Sequence, residues 1–380
     1  MLGCLSSLVM ACSALKPSQP LTLEGYSQSL RPGDIIETAT GAVIPFERLI
    51  EKLSSVRMVY VGETHTSLPD HRIQLEVLKA LAACNPSLVL ALEMLPREVQ
   101  PVLDEYAQGK MAEENFLAKT DWERNWGHPF LFYRGIFNLA KENRLRIIGL
   151  NAPIEVVNRI AQAGLASLNP EERKRVARIF HPVNPEHKNY IEGQFTQHPS
   201  GKIKSFESFY EGQLAWEETM AETLAQTQKE GPAGSQILVL IGKGHILYNL
   251  GVPRLTRIRS DQSYKTILPV PVDFPVRNLD PKMADYLWIT ERSETPHRPR
   301  LGVSLRPHAS GEGLEILSIV LGSAAEKAGL KAEDIVLKVD EVALSTLEDL
   351  PRIFSQRKGS YVFLIKRGEQ VFSEKISLTP

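Results

Sequence analysis

The sequence predicts an α/β fold, a mostly parallel sheet covered by helices, followed by a small β-rich domain at the C-terminus. Three observations carry this. Between Leu21 and Thr290, apolar runs of strand length alternate with longer helical stretches, as crossover-connected parallel strands require. Those runs are nearly continuous in apolar residues rather than alternating, which is how strands covered on both faces read. Finally, residues 291–299 (ERSETPHRP) are charged, hold two prolines and lack an apolar anchor, so they read as a linker between domains at 21–290 and 300–380. A chain of 380 residues is also longer than one ordinary domain.

Composition narrows the function classes. At 43% hydrophobic and 23% charged, the chain reads as soluble and globular. With Lys+Arg 44 against Asp+Glu 45 it lacks the basic excess of a dedicated nucleic-acid binder, and no nucleic-acid partner is expected. No apolar run is long enough to span a bilayer as a mature helix. Three cysteines cannot build a disulfide framework.

Residues 1–20 read as a processing segment and tether. An apolar run leads into Cys12, and Val9-Met10-Ala11-Cys12 resembles a bacterial lipobox. The resemblance implies cleavage before Cys12, lipid on its sulfur and a membrane anchor. Ser13, standing where an aspartate would signal inner-membrane retention, points to an outer-membrane lipoprotein of the cell envelope. In that mature chain Cys84 is the remaining cysteine. It ends an apolar helical run (LEVLKALAAC) and reads as a buried small hydrophobe.

The expected strands are Val56–Val61, Ser87–Leu92, Leu145–Leu150 and Gln236–Ile241, each β-branched- and leucine-rich. Tyr264–Val272 and Tyr286–Thr290 follow, placed toward the sheet edge by prolines such as Pro269. Phe206–Lys229 is the clearest helix, with Phe206, Phe209, Gln213, Trp216, Met220 and Leu224 recurring at three- and four-residue steps.

Polar residues gather where the strands end. Glu63 and His65 follow the first strand, Glu93 the second, Asn151 the third and His245 the fourth. Ligands of open α/β sheets bind at the carboxyl ends of parallel strands, so this grouping predicts a site. Two turns share one form, Gly62-Glu63-Thr64-His65 and Gly242-Lys243-Gly244-His245. In each, glycine lets the chain leave the strand sharply and leaves room for a ligand near the backbone. Two imidazoles and two carboxylates can hold a divalent metal, serve as general base and orienting partner, or anchor a cofactor without catalysis. There is no Gly-x-Ser-x-Gly elbow, Walker loop, His-Glu-x-x-His helix or Cys-x-x-Cys pair.

At these residues the sequence resembles a known family. GETHTSLPDHRIQLEVLKAL, LALEMLPREVQPVLDEY, WERNWGHPFLFYRGIFNLAKENRLRIIGLNAP, FYEGQLAWEETMAETLA and LVLIGKGHILYNLGVPRL, in this order, are similar to the ChaN family of haem-binding lipoproteins, within the Tiki/TraB and erythromycin-esterase-like superfamily. The resemblance implies a haem-binding protein associated with iron uptake, with ferric haem held between two paired monomers. In that branch a tyrosine ligates the iron, which suits carriage rather than oxygen chemistry, and histidine or lysine meets the propionates. Tyr248 and Tyr210 are the nearest candidates for the ligand and Tyr190 a third, with His65 and His245 as further cofactor contacts. Trp122, Trp126 and Phe130 line a haem pocket or belong to the core. The wider superfamily implies an alternative, a metal-dependent or His-assisted hydrolase in which Glu63, His65, Glu93 and His245 hold a divalent metal or polarise water.

The last 80 or so residues resemble a bacterial PDZ domain, through RLGVSLRP, GLEILSIVLGSAAEKAGLKAEDIVLKVDEVALSTLEDLPRIF and GSYVFLIKRGEQVFSEKISL. This implies that Leu301-Gly302-Val303 form the loop whose amides hold a partner's C-terminal carboxylate, while the next strand accepts the peptide by β-augmentation. A non-catalytic adaptor, with this module as its working part, is the other reading.

Overall fold

The computed structural model describes residues 20–197, 205–232, 235–292, 301–308, 310–319, 323–346, 349–354 and 360–378. The expected lipobox, Cys12 and nearly all of the linker lie outside these residues. The chain divides into two compact units, 1–293 and 294–380. Among the described residues no helix is long and apolar enough to cross a membrane.

Among the described residues the first unit is built on ten strands. A short parallel pair joins β1 (Thr22–Leu23) to β9 (Asn278–Leu279). The main sheet contains β2 (Ile35–Glu37), β3 (Ala42–Ile44), β4 (Met58–Glu63), β5 (Val89–Pro96), β6 (Arg146–Asn151), β7 (Ile237–Gly242), β8 (Tyr264–Pro271) and β10 (Tyr286–Thr290). Their order is β3-β2-β10-β8-β4-β7-β5-β6. From β10 to β6 every ladder is parallel, while β2 and β3 close one edge antiparallel.

Alternation along the central strands feeds two cores. Val59, Val61, Leu90, Leu92, Leu238 and Leu240 face one side, against the helices Phe46–Ser54, Leu68–Cys84, Gln100–Ala107 and Arg134–Glu142. Met58, Tyr60, Ala91, Ile237, Val239 and Ile241 face the other, against Phe206–Glu230 and Val252–Ser260. Because both faces are covered, the strands carry no solvent-side polar positions, which is why they read as unbroken apolar runs. The site-bearing strands begin one or two residues later than expected and end one to four residues later, so their polar termini belong to the sheet itself.

Two expectations are corrected. Tyr286–Thr290 is interior, between β2 and β8, and so is the Tyr264–Pro271 strand, between β10 and β4. Its Pro269 is tolerated because β4 pairs with β8 only as far as Val61↔Ile267, leaving one side of the strand without a ladder beyond that point. Cys84 is exposed rather than buried. Its helix has 17 residues and the underlying β4 has six, about 25 Å against about 20 Å, so the last turn overhangs the sheet.

The second unit contains β11 (Val303–Pro307), β12 (Leu314–Ile319), β13 (Ile335–Val339), β14 (Val342–Ala343), β15 (Ser360–Arg367) and β16 (Gln370–Ser377). They form an antiparallel sheet in the order β11-β12-β13-β15-β16, with β14 on β13. Leu314, Ile316, Val336, Val339, Phe363 and Ile365 pack with Ala325, Leu350 and Ile353 from two short helices. Ser323 caps the first of these helices by accepting from the Glu326 amide, and Gly329, at φ +70°, leads the chain out of it.

Candidate functional site

The parallel strands deliver Glu63, Glu93 and the 242–245 turn to one edge of the sheet, where they meet. Gly242 is the pivot. Its amide donates to Glu93 Oε2, and a Cβ placed on it would lie 2.8 Å from His65 Cε1 and 3.3 Å from Glu93 Oε2. Any side chain at this position would displace the imidazole. The two Gly-x-x-His turns therefore stand against one another, with Glu93 between them.

Glu63 ends β4 fully buried. Its Oε1 accepts from His65 Nδ1 at 2.9 Å and from the Tyr133 hydroxyl at 2.8 Å. Its Oε2 lies 3.1 Å from His71 Nδ1. That last approach is close but poorly aligned, so it is a charge contact more than a directed hydrogen bond. His71 Nε2 faces the His65 carbonyl oxygen at 3.2 Å. Both ring nitrogens of His71 thus face acceptors, which favours the imidazolium. Burial opposes charge on all three groups, but the imidazoles hold the Glu63 carboxyl far below the ordinary carboxylate range, and Glu63 raises both His65 and His71.

The turn between them has its own brace. Asp70 accepts from the Thr64 amide at 2.8 Å and from the Ser67 hydroxyl at 2.7 Å. Ser67 in turn caps the Leu68–Cys84 helix. This places His65 with its side chain 35% exposed, its ring edge-on to Trp126 at 4.6 Å.

His245 is enclosed by carboxylates. Its Nε2 lies 3.3 Å from Glu93 Oε1 and its Nδ1 3.0 Å from Glu217 Oε1. Burial again opposes the charge, but the two carboxylates prevail and push the imidazole up to about 10. Glu217, fully buried on the Phe206–Glu230 helix, is held at about 2 against its burial by His187 and His245. Its Oε2 lies 3.1 Å from His187 Nε2, and His187 Nδ1 lies 3.2 Å from the Tyr210 hydroxyl. Like that of Glu63 to His71, the Glu217–His187 approach is a charge contact more than a directed hydrogen bond, and a buried chain of such close contacts runs Glu93–His245–Glu217–His187–Tyr210.

Above it opens a cleft of about 290 Å³, whose lining includes His65, Lys243, Tyr190, Ile191, Gln194 and Phe209. Burial lowers Lys243, partly offset by Asp70. Tyr248, just beyond the second turn, stands at φ +58° with its ring 6.4 Å from that of Tyr190. Tyr210 is only 2% exposed, and burial pushes its phenol up to about 12. Asn151 ties the strand ends together, donating to the Glu93 carbonyl at 3.1 Å. Trp122 and Phe130 belong to the core, and Trp126 alone of that aromatic group abuts His65.

Among the described residues, no three His, Cys, Asp or Glu are placed to hold a metal ion. The acids and imidazoles that the sequence gathers are paired with one another instead, and both nitrogens of His245 already face carboxylates. Sequence reasoning did not single out His71, Tyr133, Glu217 or His187. His71 lies inside the GETHTSLPDH segment and the pair Glu217-Glu218 interrupts an otherwise well-buried helix face, the one signal that could have marked it.

Fold and site together define a parallel α/β ligand-binding domain with its site at the carboxyl edge of the sheet, joined to a small antiparallel peptide-binding type of module. The sequence model of the family described as haem-binding uptake, Tiki superfamily, ChaN matches residues 49–255, more than half of the chain, and the chain belongs to that family. The PDZ domain model matches residues 299–374. No curated protein sequence matches the chain. Among solved structures, the cofacial haem complex of ChaN of Campylobacter jejuni is similar at a TM-score of 0.53 and 21% identity, over 67% of this chain and 95% of that one. At that identity the likeness speaks for the fold. The HtrA3 PDZ domain bound to a phage-derived ligand matches at 17% identity over 20% of this chain and 82% of its own, with a TM-score of 0.19. The serine endoprotease from Yersinia pestis matches at 22% identity over 21% of this chain and 28% of its own, with a TM-score of 0.18.

Proposed function

We propose that the 21–290 domain binds ferric haem at the cleft beside the two Gly-x-x-His turns, with Tyr248 supplying the axial oxygen. The observation that carries this is the contrast between the two tyrosines. Tyr210 is buried with its hydroxyl against His187, whereas Tyr248 is partly exposed beside Tyr190, a cleft residue. The donor set suits the group: a phenol for ferric iron, apolar Ile191 and Phe209 for the ring, and Lys243 and His65 for the propionates. Haem bound there supplies a strong visible absorption and a ferric centre suited to carriage. The protein's own part is to orient the plate and to neutralise its carboxylates. One monomer covers only part of so large an apolar plate, and pairing two half-sites removes the remainder from water at about 25 cal/mol per Å²; a homodimer is therefore part of the proposal.

Cys12 carries lipid that tethers the protein to the outer membrane, and the whole serves haem or iron uptake. The PDZ domain takes partner C-termini. In its favour, Leu301 is buried with its carbonyl accepting from the Ala325 amide, Gly302 adopts φ +79°, and β11 ends the sheet among the described residues. Titrating haemin into the purified protein, with visible spectra and light scattering, tests the haem and dimer claims together. A spectrum no different from free haemin would sink both. Loss of a co-purifying metal on replacing His65 would instead bring back the hydrolase reading.

A further inference from the structure

The buried chain below the cleft ends on the element that forms the cleft's wall. The helix Pro185–Gln197 carries His187, Tyr190, Ile191 and Gln194 at spacings of three, four and seven residues, so they share one face. Tyr190, Ile191 and Gln194 line the cleft, while His187, 2% exposed, points below it to Glu217 and Tyr210. Glu217 reaches the other way to His245 in the second turn. One carboxylate therefore links the helical wall to the floor of the site.

We propose that His187 and Glu217 are positioning residues for the ligand cleft, fixing the Tyr190/Ile191/Gln194 wall relative to the 242–245 turn. This rests on the reading of the cleft as the haem site. Neither residue is placed to touch the ligand. Their effect passes through the helix face, since a helix whose inner end is tied to a buried carboxylate has few other orientations open to it. Elsewhere the helix is held by Lys188, which pairs with Glu207, and by Phe195, which packs on Phe206 and Phe209, with Glu186 and Glu192 exposed; the His187–Glu217 contact is the link that continues to the 242–245 turn.

The test uses the full chain with haemin as the probe, comparing wild type with His187→Ala and His187→Gln. Glutamine can return a donor to Glu217 from the same position. The expected result is an apparent haemin affinity at least 10-fold weaker for alanine and within about 3-fold of wild type for glutamine. Amide exchange in 185–197 should accelerate in the alanine variant while the Phe206–Glu230 helix stays protected. An alanine variant that binds as wild type does, or a glutamine variant as weak as alanine, overturns the proposal. If alanine prevents folding, the glutamine variant and its exchange pattern still decide it, because unprotected 185–197 amides there count against the link. If wild type itself gives no specific haem spectrum, the haem reading fails alone, and exchange in 185–197 continues to judge the positioning claim.

Discussion

Glu93 offers the sharpest test of how the site is held. Its carboxylate is 1% exposed, accepts from the Gly242 amide and lies 3.3 Å from the His245 imidazole. Glu93→Ala leaves that amide and His245 Nε2 without their acceptor at a buried position. Removing one member of a buried charged pair costs about 3–5 kcal/mol, so the alanine variant should lose that much. Glu93→Gln keeps the shape and one acceptor oxygen, enough for the Gly242 amide or for His245 but not both. One charge-assisted bond is then lost, about 1.5–3 kcal/mol. All four tryptophans, Trp122, Trp126, Trp216 and Trp288, belong to the first unit, so tryptophan fluorescence during urea unfolding reports on this domain without the PDZ domain. With a urea slope of about 3 kcal/mol per M, alanine should lower the midpoint by between about 1 and 2 M, and glutamine by about half as much. An alanine variant that loses less than about 1 kcal/mol would mean that Glu93 is not holding the turn. Equal losses for the two variants would mean that the cavity, and not the hydrogen bonds, sets the cost.

Stability of the first unit should also depend on pH from both sides. His245 is raised to about 10, so its contribution is full below about 6.5 and disappears as pH rises through about 10. Glu217 is lowered to about 2, so its contribution is full above the ordinary carboxylate range and disappears as pH falls toward 2; unfolding free energies measured from pH 3 to 10 should therefore peak between about 5 and 6.5, and a flat profile would contradict the network. Tyr248→Phe should remove a high-spin ferric haem spectrum while Tyr210→Phe leaves it nearly unchanged, and the reverse order would transfer the ligand to Tyr210. In the PDZ domain, a Cβ on Gly302 would fall 2.2 Å from Ser323 Cβ at a left-handed backbone; Gly302→Ala should lower this domain's stability by about 1–3 kcal/mol and weaken peptide binding. Amidating a bound peptide's C-terminus should abolish its binding, since the amide-lined loop would lose the carboxylate it holds, and unchanged affinity would point to another mode of docking.

The sequence by itself determined the sheet and its active edge. A strand buried on both faces has to be apolar throughout, so Met58–Gly62, Val89–Leu92 and Ile237–Ile241 announce themselves, and the first polar residues after them, although Glu63 and Glu93 are themselves buried, mark the carboxyl edge where the site lies. That is why Glu63, His65, Glu93 and His245 could be named from local pattern alone. What only the tertiary structure decided is the pairing among them. His71, His187 and Glu217 sit on helices and Tyr133 on the turn before one, where a polar residue ordinarily faces water and, apart from the Glu217-Glu218 pair, nothing local distinguishes one turned inward. Tyr210 and Tyr248 look alike in sequence; the fold buries one against His187 and leaves the other beside the cleft. Cys84 and Pro269 failed local reasoning for the same cause, since helix overhang and ladder length are relations between distant segments. Periodicity records which side of its own element a residue occupies, and the identity of the group waiting on that side is fixed only when the elements pack.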